Sequence, residues 1–134
     1  MENSELIKLA KDAEKRAYSP YSSVRVGAAL LAESGRVYLG ANIENSAYSP
    51  SICAERVAFS AAVMAGEKKF SKIAVTASRG DRELLPFPPC GVCRQVMAEL
   101  ADGDLEIIYN GEHGGRAQTL SSLLPESFNK KILE

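Results

Sequence analysis

Apolar residues recur at helical spacing in the opening stretch: Leu6, Leu9, Ala10, Ala13 and Ala17, with Lys8, Lys11, Asp12, Glu14 and Lys15 on the other side. This predicts a first helix capped by Ser4, with Glu5 in its first turn. The helix is expected to end near Tyr18, because Pro20 disfavours helix in the residue before it. The period then changes to two. Val24, Val26, Ala28, Leu30 and Ala32 fall on one face of a strand, with Gly27 in its middle. A glycine there weakens the strand or lets something approach closely. The turn signal at 33–36 and a second run, 37–41, complete a hairpin. Residues 42–50 read as a loop. Residues 53–65 have the alanine-rich composition of a helix stopped by Gly66. A strand follows at 72–78, then a charged, proline-rich loop at 79–89 and a helix at 90–101. The remainder reads as a strand at 105–109, a turn at 110–115, a short edge strand at 116–120, one helical turn at 121–124 and a short tail from Phe128.

Strands alternating with helices imply a sheet with parallel pairs and helices on its faces. Right-handed crossovers bring the helices at 53 and 90 to the same sheet. Sites in such sheets lie at strand carboxyl ends, where helix amino termini gather. The length of 134 residues suits one domain, 1–134, with its own core. A net charge of −1 gives no reason to expect a nucleic-acid partner, and no apolar run approaches the length of a membrane span. The acidic start, Met1-Glu2-Asn3-Ser4-Glu5, lacks the layout of a signal peptide. With three cysteines, an odd number, the expectation is a cytoplasmic protein whose thiols are reduced or bind metal.

All three cysteines stand where helices begin: Cys53 in Cys53-Ala54-Glu55-Arg56, and Cys90 and Cys93 in Pro89-Cys90-Gly91-Val92-Cys93. A helix amino terminus favours the thiolate that binds metal. Three thiolates supply three zinc ligands and leave the fourth position open, as catalytic sites do. A lone Cys-x-x-Cys also fits a redox pair or half of a zinc knuckle, but no second Cys-x-x-Cys accompanies this one. The only histidine, His113, lies in a turn and reads as solvated. Glu55 alone would be an ordinary first-turn residue. Beside three helix-start cysteines, its simplest role is moving protons. A zinc-stabilised binding module would have no use for it, and a deaminase of RNA or DNA would be expected to carry a basic excess.

Cys-x-Glu followed by Pro-Cys-x-x-Cys resembles the zinc nucleobase deaminases. Tyr18-Ser19-Pro20-Tyr21-Ser22, residues 26–30, Asn42-Ile43-Glu44-Asn45, residues 93–96 and Leu123-Leu124-Pro125 extend the likeness, in order, to the small tetrameric cytidine deaminases. The resemblance implies a three-layer α/β/α fold with a mixed five-stranded sheet and helices on both faces. It implies Zn2+ on Cys53, Cys90 and Cys93, with Glu55 passing protons to N3 and to the leaving amino group of a cytidine or deoxycytidine. Arg56 would hydrogen-bond a cysteine sulfur and offset its charge. Asn42 and Glu44 would hold the ribose hydroxyls, with Ala54 and Val24 also in the substrate-binding set. Tyr48 and Phe128 would reach a neighbouring subunit's site, so a homotetramer with shared sites is expected. Two features depart from the pattern. Val24 stands where the family usually has Phe, which brings blasticidin-S deaminases forward as an alternative, although Glu44 and Arg56 fit the cytidine pattern. The loop 79–89 has no counterpart and no assigned role.

Overall fold

The computed structural model describes residues 1–109 and 116–134. The expected turn at 110–115, with His113, lies outside them. The first helix, α1, spans Asn3–Glu14. It starts earlier than the Ser4 cap suggests and stops four residues short of Tyr18. Tyr18 is drawn into main-chain pairing instead: its N–H donates to the Asn42 carbonyl, and its own carbonyl accepts from the Glu44 N–H. A helical Tyr18 could not make both bonds.

The strands are β1 (Val24–Ala32), β2 (Val37–Ala41), β3 (Phe70–Arg79), β4 (Arg82–Glu83), β5 (Glu106–Ile108) and β6 (Ala117–Thr119). The main sheet runs β2-β1-β3-β5-β6, and β4 pairs with the end of β3. The β3–β5 pair is parallel and the other pairs are antiparallel, so the sheet is mixed. Its five-stranded path is the one expected; β4 is an addition made inside the proline-rich loop. The other helices are α2 (Ala54–Met64), α3 (Gly91–Leu100) and α4 (Leu120–Leu123), and a short 3₁₀ turn occupies Lys130–Leu133. No helix among the described residues is long and apolar enough to cross a membrane.

Burial divides the core into two layers. Leu6, Ile7 and Ala10 of α1 pack on Ala29, Leu31, Ala74 and Ile108. On the opposite face, Ala58, Phe59 and Ala62 of α2 and Cys93 and Met97 of α3 pack on Ala28, Leu30, Ile73 and Ile107. Strand β1 is therefore covered on both sides. That explains its nearly continuous apolar run, which one-face reading underestimates. Glu14 is buried under α1, where its carboxylate accepts from the Thr76 and Ser78 hydroxyls.

Two glycines set the layer spacing. A Cβ on Gly27 would lie 1.9 Å from the Ala10 carbonyl oxygen of α1. A Cβ on Gly40 would lie 2.1 Å from the Ala54 carbonyl oxygen and 2.6 Å from the Ala58 nitrogen of α2. The two positions lie on opposite faces of the same hairpin. Gly27 thus serves close approach, one of the two roles expected for it. Gly40→Ala is expected to cost about 1–3 kcal/mol or more through overpacking against main chain that cannot rotate away. A lowered urea midpoint at unchanged slope is the measure; an unchanged midpoint would show that α2 moves freely.

Candidate active site

Cys53 and Cys90 are the residues immediately before the first turns of α2 and α3. Both have extended backbone, so their side chains stand at the helix mouths. The Cys90 sulfur accepts from the Cys93 N–H at 3.4 Å and caps α3 with its own side chain. Cys93 is one turn further on and buried. The three sulfurs lie within 4.8 Å of one another, and Cys53 Sγ is 3.8 Å from Cys90 Sγ. Sulfurs about 2.3 Å from one tetrahedral zinc stand about 3.8 Å apart. The donor set and its spacing therefore fit zinc.

The electrostatics favour thiolate at Cys53. A hydrogen bond from the Cys93 thiol is the largest influence; with Arg56 it outweighs burial and holds Cys53 down to about 5. As the donor in that pair, Cys93 is pushed up. Arg56 Nη2 donates to Cys53 Sγ at 3.4 Å, as the resemblance implied, and the same bond pushes the guanidinium up.

Glu55 points into the protein from the first turn of α2, at 3 % exposure. Burial lifts its carboxyl to about 7, and the nearby Cys53 charge adds to the rise. Its Oε1 has no hydrogen-bond partner. An unsatisfied buried polar atom costs about 1–3 kcal/mol. A first-turn residue serving only the helix dipole would sit in solvent and avoid that cost.

A cleft of about 250 Å³ opens over this corner, lined in part by Cys53, Cys90 and Glu55. Asn42 and Glu44 line it, together with apolar side chains from Val26, Ile52, Phe87 and Pro88. The Asn42 amide braces the start of β1: its Oδ1 accepts from the Val26 N–H at 2.8 Å and its Nδ2 donates to the Val24 carbonyl at 2.9 Å. An amide has one further donor and one further lone pair to offer a ligand. Glu44 accepts from the Tyr21 and Ser22 N–H groups and the Ser22 hydroxyl. The Ser22 hydroxyl bond is the main reason its carboxyl lies below the usual range.

The other substrate-binding residues singled out in the sequence are not among those lining this cleft. Val24 is half-buried at the edge of the core and is not among the residues lining the cleft; Val26 lines it. Ala54 is fully buried at the start of α2. Tyr48 is 74 % exposed, with its ring edge-on to Tyr21, and Phe128 is 61 % exposed. Three contributors were missed. Ser22 holds Glu44, and its only signal was its place in Tyr18-Ser19-Pro20-Tyr21-Ser22. Arg94 donates from Nε to the Pro89 carbonyl at 2.8 Å and from Nη1 to the Leu123 carbonyl, steadying the turn into Cys90. Phe87 had no signal, because it sits in the loop without a counterpart.

Comparison with known proteins agrees with this geometry. Residues 1–109 match the family described as the cytidine and deoxycytidylate deaminase zinc-binding region. The cytidine deaminase of Sporosarcina psychrophila is 46 % identical over 134 residues, covering 99 % of this chain and 96 % of its own. That of Halalkalibacterium halodurans is 47 % identical over 130 residues, covering 96 % and 95 %. The crystal structure of the Burkholderia pseudomallei cytidine deaminase superposes with a TM-score of 0.86 at 42 % identity, covering 96 % of this chain and all of that one. With a cysteine cluster spaced for zinc and a buried carboxyl with one unpartnered oxygen beside it, the chain belongs to the zinc-dependent cytidine and deoxycytidylate deaminase family.

Proposed function

We propose that this chain deaminates cytidine and deoxycytidine hydrolytically, giving uridine and deoxyuridine with release of ammonia. The observation that carries the reading is Glu55: buried and unpartnered at Oε1, it lines a cleft of about 250 Å³ together with Cys53 and Cys90. Cys53, Cys90 and Cys93 would hold the zinc, which when bound lowers the pKa of water towards neutrality. As the oxygen of the attacking water bonds to C4, Glu55 takes one of its protons at Oε1 and delivers it to N3 of the pyrimidine. It then moves the remaining proton of that water to the 4-amino nitrogen as the C4–N bond breaks and ammonia leaves. Buried beside the metal-binding cysteines, the same carboxyl is placed both to accept and to return a proton. Arg56 compensates the negative charge of three thiolates at Cys53. Asn42 and Glu44 receive the sugar hydroxyls, Glu44 with its charge maintained by Ser22.

The same reading makes the chain a homotetramer acting in cytoplasmic pyrimidine salvage. Its support is the set of large apolar side chains left exposed at Tyr48, Phe128, Ile132 and Leu133. Tyr48, Phe128 and Ala54 would then enter the substrate site from neighbouring chains or through main-chain contacts. Light scattering that finds a monomer sinks this part.

The activity is tested by following ammonia release from a panel of aminopyrimidines. Cytidine and deoxycytidine should react fast and free cytosine poorly, because a site built for a sugar hydroxyl discriminates against ligands lacking it. Release from blasticidin S alone would move the chain to the alternative reading. Glu44→Gln is expected to lower cytidine kcat/KM roughly 10- to 100-fold, since a hydrogen bond to a charged group is worth about 1.5–3 kcal/mol. Zinc content should be unaffected. Unchanged cytidine turnover would reduce Glu44 to a loop residue.

A further inference from the structure

The segment between β3 and α3 is the part of the chain that the functional reading leaves without a task, and it delivers Phe87 and Pro88 to the cleft. Resting on the nucleoside reading above, we propose that Phe87 is the aromatic wall on which the pyrimidine ring stacks, and so a specificity-determining residue for the base. Phe87 is the only aromatic side chain among the described residues that line the cleft; the remaining apolar lining is aliphatic. A flat heterocycle entering towards Glu55 needs one flat surface to hold its plane, and Val26 and Ile52 offer only branched methyls.

The segment is built to keep the ring in place. Strand β4 extends β3, with Ser78 opposite Glu83 and Arg79 opposite Arg82. The Leu84 N–H donates to the Ala77 carbonyl at 3.0 Å. The Phe87 N–H donates to the Tyr109 carbonyl, at the end of the neighbouring strand, at 3.3 Å. Phe87 is thereby tied across the sheet, and its half-buried ring packs on the core. Cys90 follows three residues later, and Arg94 holds the Pro89 carbonyl between them. The wall and the metal-binding helix are thus set by one short, braced stretch. Position 24, where the family usually has Phe, is Val and does not line the cleft; the ring in this cleft is that of Phe87.

Base–aromatic stacking sets the expected scale. In the zinc-loaded protein, Phe87→Leu should raise KM for cytidine by about 10-fold or more, raise the inhibition constant of uridine in parallel, and change kcat much less. Zinc content and the thermal midpoint should stay close to the parent's. Phe87→Tyr, which keeps the ring, should recover most of the lost affinity. The proposal is overturned if Phe87→Leu leaves KM and the uridine inhibition constant unchanged. It is equally overturned if Leu and Tyr variants lose affinity alike, since the effect would then come from the fold. If the parent protein releases no ammonia from cytidine and does not bind uridine, it is the nucleoside reading itself that has failed.

Discussion

Glu55→Gln is expected to keep the fold and the zinc while cutting cytidine turnover by roughly 10²–10⁴-fold, the range for a general acid–base group, with more if one carboxyl serves both proton transfers. The substitution is nearly isosteric and removes only the titration. It should not weaken the protein. Folding raises this carboxyl from 4.5 to about 7 because burial penalises its charge. In the metal-free chain its contribution is therefore fully present below about 4.5 and lost as pH rises through 7. The Gln variant carries no such loss, so its stability relative to the parent should improve across that window. Steady-state turnover and urea titrations at pH 5 and pH 8 measure both effects. Near-normal turnover in the variant would remove Glu55 from the reaction.

Cys90→Ala should abolish stoichiometric zinc and, with it, turnover by at least about 10³-fold. Parent protein should carry one zinc per chain by elemental analysis. Two effects coincide at this residue, because the sulfur is both a candidate ligand and the cap of α3. Losing a side-chain cap costs about 1 kcal/mol. Cys90→Ser separates them: a hydroxyl can still cap, but it is a poor stand-in for a soft thiolate. If zinc loss is the cause, Ala and Ser variants fail alike. Full zinc retention in the Ala variant would mean that the cluster is not the metal site.

The zinc corner was legible because its chemistry is written in short, contiguous segments. Cys53, Cys90 and Cys93 precede or open helices, and helix starts are marked by composition and by the loops before them. The alternation of elements pointed to parallel pairs, of which the sheet has one, β3–β5; its mixed five-stranded order came from the family resemblance. What could not be read depends on pairings distant in sequence. Whether β1 buries one face or two depends on α1 reaching it, through contacts that its own periodicity does not encode. The end of α1 was misplaced because Tyr18 pairs with residues 42 and 44. Glu44 was legible as a polar loop residue, but its bracing by Ser22 is a tertiary bond. Phe87 was invisible for the same reason. A proline-rich stretch has no period, and only its bonds to β3 and to Tyr109 turn it into a wall.

The glycine at position 40 has a mechanical meaning for the site. Most helices rest on sheets through side chains, which yield by changing rotamer. Here the first turn of α2 rests on the main chain of β2, with Ala54 and Ala58 directly against Gly40. Such a contact is stiff in one direction only: α2 can lift away, but it cannot be pressed closer. Cys53 and Glu55 therefore stand on a hard stop. The cysteine corner cannot sink towards the sheet, and the level at which Cys53 and Glu55 stand is set by main chain rather than by rotamers.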